Sequence, residues 1–199
     1  AAIAKAAVEA GALGFSTSRT LNHRTSDGQP TPTLTAGEDE LTGIALGLKA
    51  AGKGVLQFVS DFQDPAAEFA MFRRLVEISG RPLSFSLAQS PRGKDGWKIL
   101  LSALTDAVDA GLPMKAQVAG RPVGVLFGLE LTLNPFSQHE TYKAIAHLPL
   151  AERVAQLSDP AFRARLLSEE LDPKGPFAGS ALRAWDNMFL MTEQPDYEP

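Results

Sequence analysis

Residues 9–17 read EAGALGFST and residues 50–60 read AAGKGVLQFVS. In each, a helical stretch stops at a glycine (Gly11, Gly52) and a short apolar run follows. Glycine is the residue that most readily takes the left-handed conformation closing a helix. The figure returns at residues 79–87, SGRPLSFSL, and at residues 110–118, AGLPMKAQV. Read outward from these four junctions, the strands are residues 12–16, 55–59, 83–87 and 114–118. A further apolar run, residues 123–129 (VGVLFGL), continues the fourth strand or forms another.

The intervening stretches carry helical periodicity. Residues 38–51 place Leu41, Ile44, Ala45 and Leu48 on one face. Residues 65–79 place Phe69, Phe72, Leu75, Val76 and Ser79 together, with Asp64 as N-cap and Pro65 at the first helical position. Residues 95–110 do the same with Ile99, Leu100, Ala103, Leu104, Ala107 and Val108. Each strand-to-strand step has the length of a βα unit with its crossover, roughly 30 to 40 residues. The expected fold is α/β: a partial TIM-like (β/α) barrel of about four βα units, half the usual eight. A small doubly wound sheet is the alternative.

The alternation stops in the second half. Residues 137–147, 150–157, 160–171 and 180–187 read as short helices, with Asp159-Pro160 and Asp172-Pro173 as turn or helix starts and a break at Pro173-Lys174-Gly175-Pro176. The expected division is a barrel portion at 1–133 and a helical insertion or peripheral segment at 134–199. The chain opens inside a helical pattern and closes on TEQPDYEP, so the expected object is an internal piece of a longer protein.

Composition narrows the chemistry. The 199 residues contain no cysteine and three histidines, which excludes a disulfide scaffold, a zinc finger and a cysteine nucleophile. The net charge of −4 provides no basic face for nucleic acid. No apolar run reaches the length of a membrane span, about 18 residues. A cytoplasmic setting is expected by default. There is no G-x-S-x-G elbow, no P-loop and no G-x-G-x-x-G.

In a βα sheet, reactive groups collect at the carboxyl ends of strands. After the first strand comes STSRTLNHR (residues 16–24) and a long polar loop reaching Ala36. Arg19 and His23 there are candidates for binding a carboxylate or similar group. After the second strand, Ser60 is a candidate for substrate binding and Asp61 for a general base. After the third, Gln89 can both donate and accept toward an amide or carboxylate. Turn-forming, capping and solvated-loop roles compete at each position. No pair of histidines has metal-ligand spacing, so no metal site is assigned to this chain.

Four motifs in order, EAGA at residues 9–12, G-A-x-G-x-S-T at 11–17, T-x-x-E-x-x-L at 35–41 and the glycine-entered strand at 54–60, resemble the amidohydrolase superfamily. The resemblance is to its N-acyl-D-amino-acid deacylase (D-aminoacylase) branch. It covers roughly residues 1–90, and residues 135–169 resemble an insertion of some relatives. It implies a barrel in which zinc or another divalent ion polarises an amide carbonyl and activates water. It further implies that an early His-x-His pair and a late-strand aspartate lie outside this chain. Two ligand histidines of the pattern fall inside it. Their positions hold Val59 or Ser60, and Leu87, while Gln89 stands where the pattern has lysine.

Two functions follow as expectations. The first is part of a hydrolase acting on non-peptide C–N bonds, such as those of N-acyl-D-amino acids, with the piece itself inactive because no ligands converge on one open site. The second is a metal-free relative binding a small amide or carboxylate ligand without hydrolysis. In either case the expected partners are a small molecule and the remainder of the parent barrel, and neither nucleic acid nor membrane. An unrelated α/β domain is a third possibility with less support.

Overall fold

A computed structural model describes residues 1–89, 95–121, 123–172 and 185–194. It falls into two compact units, residues 1–25 with 29–123, and residues 26–28 with 124–199.

The first unit is built as α1 (Ala2–Glu9), β1 (Gly14–Arg19), a short 3-10 turn (Pro32–Thr35), α2 (Glu38–Ala51), β2 (Val55–Ser60), α3 (Pro65–Ser79), β3 (Leu83–Ser86), α4 (Gly96–Asp109) and β4 (Met114–Gln117). The strands lie in one sheet in the order β1-β2-β3-β4, all parallel. Spatial order therefore equals chain order. Right-handed crossovers through α2, α3 and α4 then put all three helices on one face. A doubly wound sheet would need the order to reverse and helices to cover both faces. The winding is that of a barrel segment.

Side-chain alternation produces the two faces. Leu56, Phe58, Leu83, Phe85 and Met114 point toward the helices and are buried against Val8, Leu41, Leu48, Phe72, Leu75, Val76 and Leu100. Phe58 and Phe72 pack at a centroid distance of 4.5 Å. Phe62 meets Phe72 and Phe85 edge-on, each at 5.7 Å. The opposite face carries Ser16, Gln57, Ser84 and Lys115, which stand in register across the four strands. Gly14 permits the close pairing of β1 and β2, because a Cβ there would lie 2.0 Å from the Val55 carbonyl oxygen.

Helices α2 and α3 match the spans read from the sequence. Asp64 caps α3 by accepting the Ala67 N–H at 2.9 Å. The first strand departs from expectation. It begins at Gly14 and runs to Arg19, because its pairing with β2 continues as far as Arg19↔Ser60. Thr17, Ser18 and Arg19 are thus strand residues rather than loop. Residues 123–129 form no strand. They contain Gly124 and Gly128 and pair with no described strand, leaving Val123 and Leu126 about 70% exposed.

The second unit holds α5 (Glu140–Lys143), α6 (Leu150–Ser158), α7 (Pro160–Ser168) and a 3-10 turn (Trp185–Asn187). Tyr142, Ile145, Phe162 and Leu166 form its core with Leu129, Phe136, Leu148 and Leu157. The Tyr142 hydroxyl accepts from Asn134 Nδ2 at 3.0 Å and from Arg153 Nη1 at 3.3 Å. The helix expected at 137–147 shrinks to α5, since Asn134 organises the preceding residues into turns through Ser137 and Phe136. Helix α7 stops at Ser168 instead of residue 171. Glu169 turns extended there and uses its carboxylate to accept the Thr141 N–H at 2.8 Å. Hydrogen bonding from the Thr141 side chain, the largest cause, together with the backbone N–H groups of Thr141 and Glu140 and nearby His139, holds the Glu169 carboxyl below its ordinary range. The turn expected at 173–176 and residues 180–184 lie outside the described residues. No described helix is long and apolar enough to cross a membrane.

Candidate functional site

The carboxyl ends of β1 and β2 meet in a network of short polar contacts. Asp61, the first residue after β2, accepts the Thr20 hydroxyl at 2.6 Å on Oδ1 and the Leu21 N–H at 2.9 Å on Oδ2. Its own N–H donates to the Arg19 carbonyl at 3.2 Å. The buried Thr20 oxygen in turn accepts from the N–H and Nδ2 of Asn22, at 3.1 and 3.2 Å. Both carboxylate oxygens of Asp61 are therefore occupied in fixing the chain that leaves β1.

A second cluster forms around Glu68, near the start of α3. Its Oε2 accepts the Ser60 hydroxyl, and its Oε1 lies 3.8 Å from Arg19 Nε. Arg19 also donates from Nη1 to the Ala36 carbonyl at 2.5 Å. One guanidinium thus joins the two ends of the long loop and ties them to α3. Glu68 escaped the sequence reading. The available signal was its place four residues beyond the Asp64 cap, on a turn that must abut the end of β2.

Ser60 Oγ also accepts the Phe62 N–H at 3.1 Å. Phe62 has φ of +46°, the one non-glycine residue with positive φ among those described. An aromatic residue in this region carries backbone strain of about 1–3 kcal/mol. The packing of its ring against Phe72 and Phe85 offsets that strain.

His23 stands on the exposed side of the rim, its Nδ1 2.5 Å from Ser18 Oγ. Thr33 Oγ1 donates to the Ser18 carbonyl at 2.8 Å. Gln89 is exposed beyond the end of β3. On the open face below, Ser16 donates to Gln57 Oε1, and Gln117 Nε2 donates to Ser84 Oγ at 3.3 Å. Of the sequence candidates, Arg19, Ser60 and Asp61 come together at the β1–β2 rim, and His23 joins them through Ser18. Gln89 makes no hydrogen bond among the described residues.

A model of the amidohydrolase family matches residues 1–173. The chain belongs to the amidohydrolase family. No curated protein and no solved structure matches it.

In this chain the first of the two strand-end positions is Val59, an apolar strand residue paired with Ser18, or Ser60, and neither position is free for a metal. Leu87 is buried in the apolar core, and Ser60 is held by Glu68. Among the described residues, no group of three or more His, Asp or Glu side chains could hold a metal ion. A divalent ion needs several oxygen or nitrogen donors converging on one point. The residues described here do not fit one.

Proposed function

We propose that this chain is the central portion of an amidohydrolase acting on non-peptide C–N bonds, with N-acyl-D-amino acids as the substrate class. The supporting observation is the asymmetry of the sheet. One face is apolar and sealed by helices, while the other carries Ser16, Gln57, Ser84, Lys115 and Gln117 and ends in a polar rim. In a closed barrel that polar face would line the interior, where a polar amide or carboxylate ligand finds hydrogen-bond partners.

On this reading His23 and Gln89 meet the substrate from the rim, and Arg19 and Ser60 shape the pocket through Glu68. Asp61 sets the position of the loop by holding Thr20 and Leu21, which replaces the general-base role considered for it. Any metal of the parent is held by residues outside those described, and the setting is cytosolic.

The commitment of Ser60 and Leu87 favours a second reading, a metal-free relative that binds such a ligand without cleaving it. The parent protein, assayed for amino-acid release from a panel of N-acyl-D-amino acids, separates the two. Release that depends on a divalent metal supports the hydrolase. Saturable binding of the same compounds without release supports the binding protein.

A further inference from the structure

The Ser18 hydroxyl faces an imidazole nitrogen, with 2.5 Å between Oγ and His23 Nδ1. Several other described serines are spent differently. Ser16 donates to Gln57, Ser60 to Glu68, and Ser79, Ser158 and Ser168 to helix carbonyls. A serine with a base in hydrogen-bond reach is the minimal arrangement for nucleophilic catalysis. We propose that Ser18 and His23 form a nucleophile–base dyad that takes acyl groups from activated esters.

The scaffold favours a fixed geometry. Ser18 lies inside β1, paired in register with Val59. Its backbone is further held by Thr33, and the residues flanking His23 are anchored: Asn22 to Thr20, and Arg24 Nε to the Leu21 carbonyl at 3.1 Å. Ser18 is partly exposed, so a small reagent reaches it.

In the step, Ser18 Oγ attacks the ester carbonyl carbon while its proton passes to His23 Nδ1. With an aryl ester the C–O bond to the phenol then breaks and the phenolate departs with the bonding pair; with a fluorophosphonate the same hydroxyl attacks phosphorus, the P–F bond breaks and fluoride departs. The proton on His23 goes to phenolate or water, leaving an ester on Ser18. The N–H and side-chain amide of Asn22 already donate to Thr20 and are not offered to an oxyanion. Reactivity is therefore confined to acyl donors with good leaving groups, and ordinary amides are not cleaved by this pair. The inference does not depend on the amide-hydrolase proposal.

The test is incubation of the purified chain with a fluorophosphonate, followed by intact mass and peptide mapping. The expected result is one adduct, on Ser18. It should be absent in Ser18→Ala, form at least about tenfold more slowly in His23→Gln, and be unchanged in Ser158→Ala. Mapping on the unsubstituted chain decides the matter even where a variant melts early. No adduct, an adduct on another serine, or undiminished labelling of a folded His23→Gln would overturn the proposal.

Discussion

The Thr20 hydroxyl donates to Oδ1 of Asp61 at 2.6 Å, across 41 residues of chain. With the Leu21 N–H on Oδ2, this contact fixes the exit of the chain from β1. Asp61→Ala would leave both donors without their acceptor. A donor stranded in this way costs about 1–3 kcal/mol. Urea unfolding should show a loss in that range, and the loop after β1 should become the first site of proteolysis.

The close approach at Gly14 gives a steric prediction. Gly14→Ala places a methyl group 2.0 Å from the Val55 carbonyl oxygen, so the two strands must separate. The expected destabilisation is that of overpacking, about 1–3 kcal/mol. Gly43→Ala, in α2 with open space around it, should be neutral or stabilising in the same assay.

In the second unit, Tyr142→Phe removes the acceptor shared by Asn134 and Arg153. The ring packing survives and the hydroxyl does not, so the loss should be about 1–3 kcal/mol. Thermal melting of Tyr142→Phe beside Tyr142→Leu separates the polar from the packing contribution.

Arg74 grips Glu38 with two hydrogen bonds, 2.6 and 2.8 Å, and joins α2 to α3. These bonds hold the Glu38 carboxyl below its ordinary value of 4.5. A lowered carboxylate pKa adds stability above the unfolded value, and this is lost as pH falls through the folded one. The melting temperature should therefore fall below about pH 4.5, with Glu169 contributing in the same direction. Arg74→Gln should flatten that acid limb, and high salt should weaken it because the pair is exposed.

Helices α2, α3 and α4 and the apolar strands β2 and β3 were legible in the sequence because periodicity and glycine punctuation act locally. Asp64-Pro65 and Gly80 bracket α3 within a few residues of one another, and the boundaries fell where those residues put them. The extent of β1 was not legible. Thr17 and Ser18 look like loop residues, and only their pairing with β2, some 40 residues on, makes them strand. The rim was half legible. Arg19, Ser60 and Asp61 stood out as polar groups at strand ends, but their partners Glu68, Thr20 and Ala36 are set by tertiary contacts. The run at 123–129 shows the reverse failure, since apolar composition alone does not supply a strand with a partner.

Ser60, Asp61 and Glu68 at the strand ends are bonded to groups of the chain itself, and on the proposed reading they leave no open ligand for a metal. Zinc titration of the purified chain, read by calorimetry and by metal content after dialysis, tests it most directly. The prediction is no stoichiometric zinc. One tightly held equivalent per chain, lost in Asp61→Ala or Glu68→Ala, would contradict it.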